Sequence, residues 1–379
     1  MEEELRDTVD SLRPHILHVF PSFGIGGAEV LLTGVINALG RRFRHSILSI
    51  YGDYSAAARL VPELDVATLG PFDRGNGLLV LGRMRRLLRD VRPQLVATYH
   101  WGAFDMILGG RPLADCPFIH NEHGFGDDEE TALKLRRVWT RRFTLNTLFT
   151  TIVPSETMAR IARDQFRVRP ERLTLIRNGI DTERFQPGRD DAARRRLGIG
   201  GNELVFCFAG ALRREKNLAL LVNAYLDADI ANSRLLIVGD GDCRRELESL
   251  AAARSAGDRV VLAGHTDDVR EALRAADVFV MSSNTEQASM ALLEAMATGL
   301  PCVTTEVGDS PLLLDATGPP FVVPRGDRGR YAEALTQLAL RPELRVAAGR
   351  ANRRRVLAHY TSSEMVARYE ETWTAAVSR

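Results

Sequence analysis

Two carboxylates, Glu286 and Glu294, are separated by seven residues in the stretch Thr285 to Pro301. The apolar run Ala276 to Met281, the polar break Ser282-Ser283-Asn284 and the closing Gly299 and Pro301 predict a buried strand, a short loop and then a helix. Glu286 then belongs to the loop and Glu294 to the helix. A helix N-terminus leaves backbone N–H groups free and favours an anion, so a phosphate would sit where this helix begins. Acids beside an anion site ask for a ligand with hydroxyls as well as phosphate, and a sugar nucleotide has both. The same residues also suit an ordinary strand–helix unit carrying surface carboxylates.

Further along the same half, Gly210 to Asn217 follows an apolar strand and places Lys216, with Arg213 and Arg214 beside it, near the start of a helix. These are point charges suited to a diphosphate that leaves with negative charge, unless they are simply solvated. Gly239-Asp240-Gly241-Asp242 reads as a tight turn, because two carboxylates in a turn do not define the octahedral site magnesium needs. No metal site is expected. His265, in Gly264-His265-Thr266, closes another strand where backbone groups could meet a nucleotide base.

The first half carries a second set. After the strand His15 to Phe20, the glycines Gly24, Gly26 and Gly27 lead into an apolar-periodic helix from about Ala28 to Leu39, a cradle for phosphate or sugar. The dinucleotide fingerprint is incomplete, since no third glycine follows, and close packing is the plainer reason for these residues. His100 and Trp101 end the strand Leu95 to Tyr99, and His123 follows Phe118-Ile119-His120. Two histidines at strand ends can face one crevice, although a lone histidine is usually structural.

These residues must be positioned by alternating strands and helices. Strands are expected at His45 to Tyr51, Thr151 to Ser155 and Leu173 to Ile176, with helices at Leu78 to Val91 and Glu156 to Phe166. After the polar stretch Asp181 to Asn202 a second alternation begins, with strands at Leu204 to Ala209, Arg234 to Val238, Arg259 to Ala263, Val278 to Met281 and Cys302 to Thr305. That pattern predicts two parallel doubly wound sheets, whose ligands collect at the carboxyl ends of strands and in a crevice between the domains. A chain of 379 residues agrees, since two domains of roughly 180 residues each are expected at this length.

A net charge of +1 argues against a nucleic-acid binder, and the scattered Cys116, Cys207, Cys243 and Cys302 define neither a disulfide framework nor a zinc site. Met1 to Arg13 is polar rather than a signal peptide, and no apolar run reaches the ~20 residues of a membrane span. A cytoplasmic protein is expected, or one peripheral on the inner face of the cell membrane. Two basic helices motivate the membrane: Leu78 to Val91, with Arg83, Arg85, Arg86 and Arg89, and Leu133 to Phe149. In the latter, Leu135, Trp139 and Phe143 share one side and Lys134, Arg137 and Arg141 another, so the basic side would read anionic headgroups or the aromatic side would pack on the sheet.

Five motifs in order resemble glycosyltransferase family four, of the GT-B fold. They are Gly26-Gly27-Ala28-Glu29, Asn178-Gly179-Ile180-Asp181, Glu215-Lys216-Asn217, Val238-Gly239-Asp240-Gly241, and the Glu286 to Glu294 pair with Glu-Ala-Met-Ala-x-Gly-x-Pro. The resemblance covers nearly the whole chain. It implies an α/β fold of two Rossmann-like domains facing across a cleft, 1–184 completed by 363–379 and 185–362. The final helix, about Ser362 to Ser378, would cross back to the first domain. It implies retaining transfer of a hexose-type sugar from a nucleotide diphosphate donor, without metal or other cofactor, to a saccharide or lipid-linked acceptor.

By the same resemblance Glu294 holds ribose, Glu286 the donor sugar, and the amides at Ser289, Met290 and Ala291 the diphosphate. Lys216 stabilises the leaving phosphate, Gly26 and Gly27 approach it from the other domain, and His123 lies near the transferred sugar. From the residues themselves, Gly239 and His265 are placed on the donor side and His100 and Trp101 on the acceptor side, and Arg213 or Arg214 is expected to supply the diphosphate contact if Ala211 leaves it missing. Two departures stand out: Ala211 where the family usually has arginine, and Gln287-Ala288-Ser289 where it has a glycine, aromatic, glycine run. They leave the donor's identity open and support a second reading, a catalytically silent nucleotide-sugar-binding protein or partner subunit; a third, a sugar-nucleotide epimerase of the same fold, is one the five motifs speak against.

Overall fold

The structure is a computed structural model that describes residues 13–64, 66–70, 72, 78–125, 129, 133–266, 268–314 and 321–378. The polar start up to residue 12 lies outside them. The chain divides into two compact units, Met1–Arg177 with Met365–Arg379, and Asn178–Glu364. The border falls at residue 178 because the segment after it is tied into unit 2: Ile180 N donates to Tyr360 O, Ser362 N to Ile180 O, and Asn178 Nδ2 to Ala288 O.

Unit 1 is built on strands β1 (His15–Phe20), β2 (Arg44–Ser49), β3 (Ala67–Leu69), β4 (Leu95–Tyr99), β5 (Phe118–Asn121), β6 (Thr150–Val153) and β7 (Leu173–Leu175). All pair in parallel in the order β3-β2-β1-β4-β5-β6-β7. Its helices are α1 (Gly27–Leu39), α2 (Leu78–Val91), α3 (Phe104–Gly110), α4 (Leu135–Thr144) and α5 (Glu156–Asp164). Helices cover a parallel sheet on both faces, so its inner strands are buried on both sides. Every residue of β1, β4 and β5 is buried. The edge strand β3, only three residues long and largely exposed, escapes a reading based on apolar runs.

Unit 2 carries α6 (Asp191–Arg196), β8 (Leu204–Ala209), α7 (Leu218–Ala228), β9 (Ser233–Val238), α8 (Arg244–Ala253), β10 (Val260–Gly264), α9 (Arg270–Ala275) and β11 (Val278–Met281). After them come α10 (Met290–Ala297), β12 (Cys302–Thr305), α11 (Ser310–Leu314), β13 (Val322–Val323), α12 (Arg328–Leu340) and α13 (Pro342–His359). Its parallel sheet runs β10-β9-β8-β11-β12-β13. Apolar layers lie on both faces, one around Phe279, Leu292 and Met296, the other around Phe206, Tyr225 and Leu335.

The last helix, α14 (Ser362–Val377), leaves unit 2 and completes unit 1 from Met365 onward, as the resemblance implied. Its Trp373 is wholly buried against Phe43, His18 and His45, and Tyr369 Oη lies 3.4 Å from Asn121 Oδ1. In both sheets the strand order reverses beside the first strand, between β1 and β4 and between β8 and β11. An open parallel sheet presents its ligand crevice at such a reversal, outside the carboxyl ends of the strands.

Candidate functional site

In unit 2 the reversal point gathers the expected donor residues. The loop after β8 turns through a short 3-10 segment, Arg214–Lys216, and ends on Asn217 in the left-handed region. The loop after β11 runs beside it. Asn284 N donates to Glu215 O (2.7 Å), Asn217 Nδ2 to Asn284 Oδ1 (3.0 Å), and Ser282 Oγ to Lys216 O (2.8 Å). Locked in this way, Lys216 Nζ lies 2.5 Å from Glu286 Oε1, which also accepts from Ser283 Oγ at 2.9 Å. The sequence reading gave these two side chains separate partners. In the structure they form one half-buried ion pair.

Glu286 is placed by a residue that the motif reading passed over. Gly308 has φ +51°, and a Cβ there would stand 2.4 Å from the carbonyl oxygen of Glu286 and 2.5 Å from that of Gln287. Asp309 N then donates to Gln287 O (2.9 Å). Glycine is required both by the backbone angle and by this approach.

Helix α10 starts at the end of this loop. Ser289 is its N-cap, its Oγ accepting from Leu292 N at 3.3 Å, so the amides of Met290 and Ala291 belong to a first turn that has no acceptor within the helix. Glu294 lies on α10 and Asn178 holds the preceding loop through Ala288 O. Gly239, at the end of β9, is in the left-handed region at φ +136° and packs so closely on Gly210 that a Cβ would meet its carbonyl oxygen at 1.9 Å. His265 is exposed just beyond β10. Asp240 turns inward on its own loop, Oδ1 accepting from Gly241 N at 2.8 Å. Arg213 is exposed, 4.0 Å from Glu215. Arg325, missed because it follows the two-residue strand β13, donates to Asn284 O at 3.1 Å and adds a cation at the loop after β11.

Unit 1 builds its own group at the ends of β1, β4 and β5. Gly26 is the N-cap of α1, and the Glu29 carboxylate folds back over it, 2.4 Å from where a Cβ would stand; Gly27 opens the helix with free space around it. Glu29 Oε1 lies 3.4 Å from His100 Nε2. His100 is held at φ 57°, ψ 168°, a region that is nearly glycine's alone, and its ring lies 5.7 Å from that of His123. His123 stacks on Tyr99. Desolvation, reinforced by neighbouring His100, pushes the His123 pKa down to about 3, so its imidazole is neutral near pH 7. Trp101 does not stand free: it stacks on Phe104 with the Arg141 guanidinium 4.8 Å from its ring.

Helix α4 corrects the reading of Leu133 to Phe149. Arg141 is 0% exposed, its Nε 2.7 Å from Glu122 Oε2, and Arg137 NH1 lies 3.0 Å from Glu129 Oε2. Neither arginine can reach a headgroup, because the carboxylates they neutralise are inside. Burial alone would raise the Glu122 pKa, but Arg141 and His120 override it and hold it at about 2. The aromatic side that would have packed on the sheet faces outward instead.

Residues 25–184 match the family described as Glycosyltransferase Family 4, and residues 189–355 match Glycosyl transferases group 1. The chain belongs to glycosyltransferase family 4, and its fold is GT-B. It is 29% identical over 236 residues to the UDP-Gal:alpha-D-GlcNAc-diphosphoundecaprenol alpha-1,3-galactosyltransferase of Escherichia coli, covering 60% of this chain and 61% of that one. It is 32% identical over 200 residues to the D-inositol 3-phosphate glycosyltransferase of Saccharomonospora viridis, covering 48% of this chain and 46% of that one. These matches therefore span less than two thirds of either relative. Among solved structures, Anabaena HepE in complex with UDP has a TM-score of 0.81 at 18% identity, over 95% of this chain and 100% of that one, a likeness of fold.

Proposed function

We propose that the chain is a retaining glycosyltransferase moving a hexose-type sugar from a UDP- or GDP-sugar to a saccharide or lipid-linked acceptor, in surface polysaccharide or glycolipid synthesis. The observation that carries the reading is the Lys216–Glu286 pair set beside the capped start of α10, whose body carries Glu294. A nucleotide diphosphate needs a cation and free amides at its phosphates, and carboxylates at its ribose and sugar hydroxyls. Support also comes from the name of the E. coli relative, which specifies a UDP-sugar and a lipid-diphosphate acceptor, and from the UDP held by HepE.

In this reading Glu294 binds ribose and Glu286 the sugar, while the Met290 and Ala291 amides and Lys216 take the diphosphate. The acceptor oxygen bonds to the anomeric carbon as the carbon–oxygen bond to phosphate breaks, and the acceptor proton passes to the departing phosphate oxygen on the same face. Stabilising that developing charge is the task of Lys216. His123, neutral at working pH, offers the sugar a hydrogen-bonding partner without a competing charge. No metal is given a role. The protein would work in the cytoplasm, with peripheral contact at an anionic membrane surface where a lipid-linked acceptor resides.

One observation favours a second reading, a silent donor-binding protein: Ala211 stands where the family usually has an arginine. A thermal-shift panel of UDP- and GDP-sugars separates the two when followed by turnover assays, since a ligand at ~100 times its dissociation constant stabilises by about 2.7 kcal/mol. Glu294→Ala is expected to weaken donor binding and Lys216→Ala to slow turnover. Unchanged kinetics in both variants would refute the site, and tight donor binding without turnover on any acceptor would favour the silent protein.

A further inference from the structure

Helix α4 is an amphipathic helix turned inside out. Leu135, Trp139 and Phe143, spaced four apart on one face, are 76%, 50% and 71% exposed. A helix on a soluble domain normally buries such a stripe. Here rotation is blocked from within, because turning the stripe inward would pull Arg141 off Glu122 and Arg137 off Glu129 and leave charges buried without partners.

Among the described residues of the helix, the outward face carries positive charge. Lys134 and Arg136 are exposed, and the Arg142 guanidinium lies over Trp139 at 5.0 Å, whose ring stacks on Phe143. Asn146 Nδ2 donates to the backbone of exposed Arg167 at 2.9 Å, which brings a further cation near the end of the helix. From Lys134 to Thr144 the sequence has five basic residues and no acid. Asp127, Asp128 and Glu130, which precede the helix, lie outside the described residues.

We propose that Leu135, Trp139 and Phe143 form a docking face that inserts shallowly into a bilayer containing anionic lipid, with Lys134, Arg136 and Arg142 at the headgroups. An apolar stripe with large aromatics and a basic rim matches the apolar-to-wet gradient of a membrane interface and its negative potential. A folded protein partner would satisfy the stripe, but gives no reason for a rim that is basic throughout its described residues. The proposal deepens the membrane contact named above and rests on that part of the reading alone.

Vesicle co-sedimentation tests it, using the full chain with phosphatidylcholine vesicles made with and without phosphatidylglycerol, and following tryptophan emission, in which Trp139 is the exposed contributor beside Trp101 and the buried Trp373. The wild type should bind only vesicles with phosphatidylglycerol, with a blue shift. Trp139→Ser with Phe143→Ser should weaken partitioning by at least about tenfold. Arg136→Gln with Arg142→Gln should weaken it about fivefold for each arginine, the factor that ~1 kcal/mol per charge implies. Leu135→Gln, the most exposed substitution, serves if the aromatic double variant does not fold. The proposal is overturned if the wild type fails to bind, if the aromatic variant binds like the wild type, or if the stripe proves to hold two copies of the chain together in solution. Binding is read without donor or acceptor, so its failure leaves glycosyl transfer standing, and failed turnover leaves the docking face standing.

Discussion

Unit 1 and unit 2 share a plan of parallel strands covered by helices, yet their interiors obey different chemistry. Unit 2 is sealed mainly by apolar layers, with the buried Arg194 meeting Asp277 at 3.2 Å. Unit 1 encloses ionisable groups: six of the eight histidines lie in it, among them the buried His18, His45 and His120, together with Glu122, Glu129 and Arg141. His18 Nδ1 meets Tyr99 Oη at 2.9 Å and His18 Nε2 meets His45 Nδ1 at 2.9 Å, beneath Trp373 of α14. Both units have apolar cores, and unit 1 relies more heavily on the pairing of buried charges and hydrogen bonds. Substitutions and pH should affect the two differently.

The largest contrast is expected at Arg141. Removing one partner of a buried ion pair strands the other, so Arg141→Leu should destabilise unit 1 by about 3–5 kcal/mol in denaturant unfolding. Adding Glu122→Leu should recover much of that loss, since replacing both partners by apolar groups is often neutral. Phe279→Ala in unit 2 should cost a similar 3–5 kcal/mol or so through the cavity it leaves, with no second substitution of this kind to recover it. If the double variant is no better than Arg141→Leu, charge pairing is not what distinguishes the units.

Acid should sharpen the same comparison. Desolvation is the first cause of the lowered pKa at His18, His45 and His15, with His45 pushed to about 3 and His15 to about 4. A histidine with a depressed folded-state pKa binds its proton more readily when unfolded. Its stabilising contribution is complete above pH ~6.5 and is lost as pH falls toward the folded value. Glu122, held at about 2, acts in the same direction at lower pH: its contribution is present above ~4.5 and is lost as pH falls through 2. Unit 1 should thus unfold before unit 2 between about pH 6 and 3, visible in hydrogen exchange resolved by segment. Loss of both units at one pH would contradict this.

The sequence showed the apolar strands of both units, for a physical reason. Apolar runs locate buried parallel strands, so β8, β11 and β12 are found at their observed bounds, and so are β1, β4 and α2. The helix α6 was hidden in a stretch read as a polar junction because its buried side includes Arg194, which donates to Ala275 O and meets Asp277. α4 was turned the wrong way for the same reason. Periodicity assigns arginine to solvent, and the carboxylates that reverse the assignment, Glu122 and Asp277, lie 19 and 83 positions away. Glu286, Glu294 and Lys216 were legible as motif residues. Their mutual pairing depended on Gly308, whose role only the loop packing reveals.

The smaller expected effects set a glycine against a residue doing a glycine's work. In unit 2, Gly308→Ala places a methyl against two carbonyl oxygens at positive φ, which should cost about 2 kcal/mol and weaken nucleotide-sugar binding by displacing Glu286. In unit 1 the logic runs the other way. His100 keeps a glycine-like backbone while its ring engages Glu29 and approaches His123. Releasing such strain is worth about 1–3 kcal/mol, less the ~1 kcal/mol of extra chain entropy glycine loses on folding, so His100→Gly should leave stability unchanged or raise it by up to about 2 kcal/mol. Turnover should nonetheless fall while donor binding to unit 2 stays intact. A His100→Gly variant that is more stable and fully active would mean that the strain at the end of β4 serves no chemistry. One that is less stable would mean that the Glu29 contact outweighs the strain.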